Sequence, residues 1–280
     1  MMAYKDLLVQ IDDTEACEAR VDAAINLAGR FNAHVTGLYL VPEIILPVAA
    51  EGYVGADVYG DIQRQEQERA ELALDRFRQV AEAQDVEFDT RIDRSVIANY
   101  PDLFSVHSRY ADLSIIGQTN HEDTVPSTPE PQDVVLASGA PVLITPFIGA
   151  PKGFGGRVMV AWNASREAAS AVRGAMPFLE QSQSVDVVTF RPKSGQGKHG
   201  DLPGADIALH LTRHGIEVDV QQLNGTDIDV GNALLSHVAD RGSDLLVMGG
   251  YGHSRMREFV LGGATRTILR SMTVPVLMAH

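Results

Sequence analysis

Apolar residues recur along this chain in two rhythms. Short runs such as "LSIIG" (113–117) and "DLLVM" (244–248) are apolar almost throughout. Between them lie longer stretches in which apolar positions return every three or four residues, as on a helix with one buried face. The pattern predicts strands over 5–11, 34–41, 86–92, 112–117 and 141–145, with helices over 14–30, 61–84, about 99–110 and 131–138. Strands recur at 157–162, 184–190, 216–222, 244–249 and 274–278, again with helices between them. Strands apolar on both faces suit a parallel sheet covered on both sides, and their alternation with helices predicts a doubly wound α/β fold.

The chain also repeats itself. "YKDLLVQIDDTEA" (4–16) corresponds to "GRVMVAWNASREA" (156–168), "YADLSIIGQTNH" (110–121) to "GSDLLVMGGYGH" (242–253), and "SGAPVLITPF" (138–147) to "MTVPVLMAH" (272–280). Two copies of one five-stranded domain are therefore expected, over 1–148 and 156–280, joined through the Gly- and Pro-rich "IGAPKGFGG" (148–156).

Composition narrows the function. With 45% apolar residues the 280-residue chain can supply two cores. Its formal charge of −14 argues against nucleic acid or an anionic membrane as partner, since both are bound through phosphate neutralisation. No run approaches the roughly 18 consecutive apolar residues of a membrane span. The opening "MMAYKDLLVQ" runs directly into a strand without the pattern of a secretory signal, so a cytoplasmic protein is expected. The single cysteine, Cys17, fits a reducing compartment and reads as structural. Residues 1–150 hold 10 basic and 25 acidic side chains, whereas 151–280 hold 13 and 12.

One segment carries candidate chemistry. "GGYGHSRMREFVLGGAT" (249–265) packs five glycines and two arginines directly after a strand. Doubly wound sheets bind ligands outside the carboxyl ends of their strands, where the strand order reverses. Glycines there let backbone N–H groups converge on an anion, and a helix beginning near Gly262 would add its positive dipole end. The segment matches neither G-x4-G-K-[ST] nor G-x-G-x-x-G.

The spacing Gly249-x2-Gly252-x9-Gly262 resembles the nucleotide-binding signature of the universal stress protein family. With five strands per half, an acidic or amide residue ending strand one, and a terminal Pro-Val-Leu strand, nearly the whole chain is similar to a tandem member of that family. The resemblance implies an adenine nucleotide alpha hydrolase-like fold with strand order 3-2-1-4-5 in each half. Adenine would lie near the ends of strands one and two, with the glycine loop around the phosphates. On this chain Asn163 stands where the family usually has aspartate, and Phe190 and Arg191 end strand two. Gly249, Gly252, His253, Arg255, Gly262, Gly263, Ala264 and Thr265 supply the loop and the helix start. The resemblance implies ATP, ADP or AMP as ligand, with Mg2+ accompanying ATP. It also implies pairing of the two terminal strands into an intrachain pseudo-dimer, and a homodimer of such chains.

Two positions depart from the family pattern. Asn163 replaces the carboxylate, although an amide can still bond a ribose hydroxyl or a base edge. Gly263 stands where Ser or Thr commonly follows the last glycine, and Thr265, two residues on, points differently on a helix. AMP or ADP should then bind about as well as ATP. In the first copy, "GQTNHEDTVPSTPEPQDVVLAS" (117–138) has four acidic and no basic side chains, keeps only Gly117, and places Asn120 at the Gly252 position. Its prolines donate no N–H, so nucleotide is expected only in the second copy. Asp12 nevertheless occupies the strand-one position there and leaves room for an adenosine-like ligand.

Plainer readings compete. Arg255 and Arg257 can be solvated, Gly262 and Gly263 can serve helix packing, and Asn163 can be a turn residue. Asp206, His210 and His214 fall at i, i+4 and i+8 on a helix; a polar face explains them better than a metal site. The run 61–84 reads as an amphipathic helix with Leu72, Leu74, Phe77 and Val80 inward, and the long connection 42–61 as a docked, apolar loop. No nucleophile, base and orienter can be read from spacing. The expected function is a nucleotide-responsive regulatory protein; a slow ATPase or nucleotide-transferring enzyme and a dimerisation module without nucleotide stay open.

Overall fold

The computed structural model describes residues 3–43, 56–120, 129–147, 153–190, 204–223, 229–251 and 263–280. The first half holds β1 (Asp6–Ile11), α1 (Glu15–Phe31), β2 (His34–Pro42), α2 (Ala56–Ala83), β3 (Phe88–Ser95), α3 (Tyr100–Ser108), β4 (Leu113–Gly117), α4 (Pro131–Ala137) and β5 (Val142–Thr145). The second holds β6 (Arg157–Ala161), α5 (Arg166–Leu179), β7 (Ser184–Phe190), α6 (Ala205–Arg213), β8 (Val218–Leu223), α7 (Val230–Arg241), β9 (Leu245–Gly249), α8 (Gly263–Ser271) and β10 (Val276–Ala279). All ten strands join one sheet of order β3-β2-β1-β4-β5-β10-β9-β6-β7-β8. Each half has the expected 3-2-1-4-5 order with parallel neighbours. The halves meet through antiparallel pairing of β5 with β10, Leu143 facing Leu277.

Strand alternation divides the core into two layers. Leu7, Val9, Leu245 and Val247 point into one, covered by α1, α2, α5 and α6. Leu8, Leu246, Met248 and Ile116 point into the other, covered by α3, α4, α7 and α8. Both faces are buried, which is why the strands read as continuous apolar runs. Helix ends follow local chemistry: Ser165 accepts from the Ala168 N–H at 3.1 Å to start α5, and Asp229 accepts from Asn232 N–H at 3.2 Å to start α7. Asn32 (φ 50°) stops α1 and Gly242 (φ 63°) stops α7, both in the left-handed region.

Two expectations change, both on α2. Helix α2 turns Ala70, Ala73, Leu74, Phe77 and Ala81 into the core, whereas Leu72 is 57% exposed and Val80 only partly buried. Leu72 lies two residues from Leu74, about 200° round the helix, so both cannot face inward. Helix α2 starts at Ala56, inside the stretch expected as a loop; residues 44–55 of that stretch lie outside the described residues. His210 and His214 stack edge to face with ring centroids 5.0 Å apart, and no His, Cys, Asp and Glu grouping among the described residues could hold a metal. Cys17 is buried and free, and burial pushes its thiol up, consistent with a structural role. No helix among the described residues is long and apolar enough to cross a membrane.

Candidate functional site

The carboxyl ends of β6, β7 and β9 gather the described part of the expected site. The order reverses at β6, which pairs with β7 on one side and β9 on the other. Just beyond it, exposed Asn163 accepts from the Ser165 N–H at 3.0 Å, closing a turn in which Ala164 takes φ 58°. The side-chain oxygen of Asn163 is thus engaged in the turn, while its amide NH2 has no protein partner among the described residues. Phe190 closes β7, half-buried and opposite Leu223 of β8.

Gly249 ends β9 against the first turn of α5. A Cβ there would lie 2.4 Å from the Ala168 nitrogen and 2.9 Å from the Glu167 Cβ. The first glycine of the signature is therefore required by packing alone. Tyr251 follows with φ 57°, its ring against the second core layer and its hydroxyl buried without a hydrogen-bond partner among the described residues. Burial, reinforced by Asp133 of α4, pushes this phenol up to about 12. Across the gap, Gly263 opens α8, with Ala264 half-buried and Thr265 buried. Among the described residues, a Cβ on Gly263 would find only Asp229 Oδ1 nearby, at 3.6 Å. Burial leaves the Thr265 hydroxyl badly placed to stand in for the missing Ser or Thr. Arg191, Gly252, His253, Arg255 and Gly262 lie outside the described residues.

Two residues that spacing did not single out adjoin this site. One is Tyr251. The other is Glu167 on the first turn of α5, 3% exposed beside Gly249, whose carboxylate accepts from Arg166 Nε at 2.5 Å. Burial works against its charge, but the hydrogen bonds from Arg166 and nearby groups outweigh it and hold the carboxyl below its ordinary range.

The corresponding position in the first half is filled from within. Leu7 pairs with Leu113 as Val158 pairs with Leu245, so Asp12 is the counterpart of Asn163, Gln10 of Ala161 and Arg20 of Ala171. Asp12 is buried and accepts from Gln10 Nε2 at 2.8 Å, the Thr14 N–H at 2.9 Å, the Thr14 hydroxyl and the Arg20 guanidinium. Arg20 also donates from Nε to the Gln10 carbonyl at 2.7 Å, and Gln10 Oε1 accepts from the Gly117 N–H at 3.2 Å. Arg20 Nη1 sits 2.2 Å from where a Gly117 Cβ would be. This corrects the expectation for Asp12: its carboxylate is consumed by the chain and offers nothing to an adenosine-like ligand.

The fold and this switch-point site define a tandem doubly wound α/β protein with a glycine-rich segment at one sheet end. Residues 156–280 match the family model described as "Universal stress protein family". The family match therefore covers the second half, whose topology the first half repeats. It is similar to the universal stress protein Slr1230 of Synechocystis, 37% identical over 67 residues, which span 24% of this chain and 22% of that protein. Among solved structures, a universal stress protein from Archaeoglobus fulgidus superposes with a TM-score of 0.74 at 18% identity, over 98% of this chain and 95% of that one. A functionally unknown protein, PA1789 from Pseudomonas aeruginosa, gives 0.58 at 15% identity, over 98% and 92%. At such identities the two structures speak to the fold.

Proposed function

We propose that the chain is a regulatory protein of the stress response whose second half binds one adenine nucleotide, ATP, ADP or AMP, at the carboxyl ends of β6, β7 and β9. The observation that carries this reading is the spacing Gly249-x2-Gly252-x9-Gly262, which lies within the segment that matches the family and leaves β9 beside the switch point. Charge supports it: residues 249–270 hold Arg255, Arg257, Arg266 and Arg270 against Glu258, in a chain of net charge −14. Polyphosphate is drawn to that segment and away from the acidic remainder. Mg2+ accompanies ATP. The occupied site alters the affinity of this cytoplasmic protein, a homodimer of tandem chains, for its partners.

A second reading, a dimerisation module without nucleotide, draws on Gly249, whose lack of a side chain α5 already demands. One experiment separates the two. Denaturing the purified protein and chromatographing the extract should release adenine nucleotide, and titration calorimetry of the stripped protein should give one site per chain. Gly252→Glu should abolish binding. Absence of nucleotide from the extract together with no heat on adding ATP, ADP or AMP would overturn the proposal and leave the second reading.

A further inference from the structure

The first half reaches both described flanks of the glycine segment. On one flank, Gly250 follows β9 and donates its N–H to the Ala279 carbonyl at 2.9 Å. A Cβ on Gly250 would lie 2.8 Å from Val135 Cγ1, on α4 of the first half. Gly249 and Gly250 thus lack side chains for different reasons: Gly249 makes room for α5 of its own half, Gly250 for a helix of the other. Tyr251 then packs its ring into the core layer that holds Val134 and Val135. The chain enters the segment seated on α4.

On the other flank α8 leads away, and the first half holds its far end. Gln118 follows β4 as Gly250 follows β9, so the two are counterparts. Its N–H is tied to the Thr145 carbonyl at 2.8 Å, and its buried side chain bridges the seam. Nε2 donates to the Leu269 carbonyl at 2.8 Å, while Oε1 accepts from the Phe147 N–H at 3.2 Å. Leu269 lies in the last turn of α8, where carbonyls run out of intrahelical donors. Gln118 is therefore a cap for α8 supplied by the other half.

We infer that the first half, through Val135 and Gln118, positions the glycine segment of the second half and so sets its nucleotide affinity across the seam, an inference that rests on the proposed nucleotide site. A segment held at both ends loses less freedom on closing around a ligand, which is how preorganisation raises affinity. Linkage makes the effect reciprocal: nucleotide in the second half must steady α4 in the first. The test is calorimetry of the full chain with ATP and with AMP. Gln118→Met and Val135→Ala should each weaken both nucleotides about fivefold, the scale of one hydrogen bond, and by the same factor because position rather than phosphate charge is altered. Arg30→Met is the control. Arg30 also spans the seam, donating from Nε to Gln181 Oε1 at 2.8 Å and from Nη1 to the Phe154 carbonyl at 3.1 Å, but touches neither flank; its loss should leave both affinities unchanged. In the natural chain, ATP should slow amide hydrogen exchange over 131–137, a reading that needs no variant. Circular dichroism shows that each variant is folded before it is read. Unchanged affinities in Gln118→Met and Val135→Ala, an equal loss in Arg30→Met, or exchange in α4 indifferent to bound ATP would each overturn the inference while leaving the proposed function standing. A natural chain that binds neither nucleotide overturns both.

Discussion

At the scale of single residues, the two halves put opposite solutions at one position. Asp12 and Asn163 both close a turn by accepting a backbone N–H two residues on. Asp12, however, also faces a buried arginine, whereas Asn163 has Ala171 in the arginine's place and stays exposed. Arg20→Ala should cost about 3–5 kcal/mol in denaturant unfolding, because it strands a buried carboxylate; a loss under about 1 kcal/mol would show that the pair is not buried as described. Gly249 and Gly263 also part company. Gly249→Ala drives a Cβ into the backbone of α5, so any loss of binding would be confounded by misfolding. Among the described residues, the nearest atom to a Cβ on Gly263 is Asp229 Oδ1 at 3.6 Å, an ordinary contact. Gly263→Ser should therefore fold normally and, on the proposed function, restore the hydroxyl that family members commonly carry. Calorimetry should show ATP tightened by about fivefold relative to AMP, the scale of one added hydrogen bond; an unchanged ratio would remove position 263 from the phosphate contacts.

At the scale of elements, the inner strands were legible because both of their faces are buried and their runs are apolar almost without interruption. Boundaries moved by up to three residues where edge strands are polar: β3 and β8 mix exposed and half-buried positions, so their ends lack an apolar signal. The phase of α2 was harder to read. Its inward face relies on Ala70, Ala73 and Ala81, which carry little apolar weight, and Leu72 drew attention from a solvent-facing position. Leu72→Lys should change stability by no more than about 0.5 kcal/mol, while Leu74→Ala should cost about 2–5 kcal/mol by opening a cavity; equal effects in thermal unfolding would contradict this phase. Of the candidate site, the strand end at Gly249 and the turn at Asn163 were legible. The Arg20 plug was not, because Asp12 and Arg20 lie eight residues apart and meet only once α1 packs against β1. Comparison of the repeats held a clue, since Arg20 becomes Ala171 where Asn163 stays exposed.

At the scale of the whole molecule, the sheet manages its edges in two ways. Its outer strands carry charge: Asp89, Arg91, Asp93 and Arg94 on β3, Asp219 with Gln221 and Gln222 on β8. Such edges resist pairing with another chain. The inner strands β5 and β10 have no such protection, since every residue of both is buried and most are apolar. Their protection is each other, in antiparallel register from Val142 opposite Met278 to Ile144 opposite Val276. Tyr4, Phe31 and Phe178 reinforce the junction, with ring centroids 5.0–5.7 Å apart in edge-on contacts that span the halves. Deleting residues 272–280 removes β10 and bares two apolar edges at once, β5 on one side and β9 on the other. The truncated chain should precipitate or form new intermolecular strand pairs. Light scattering after size-exclusion chromatography reads this directly. A soluble, monomeric truncation with the infrared strand content of the rest of the sheet would mean that the pairing of β5 with β10 is incidental to the fold.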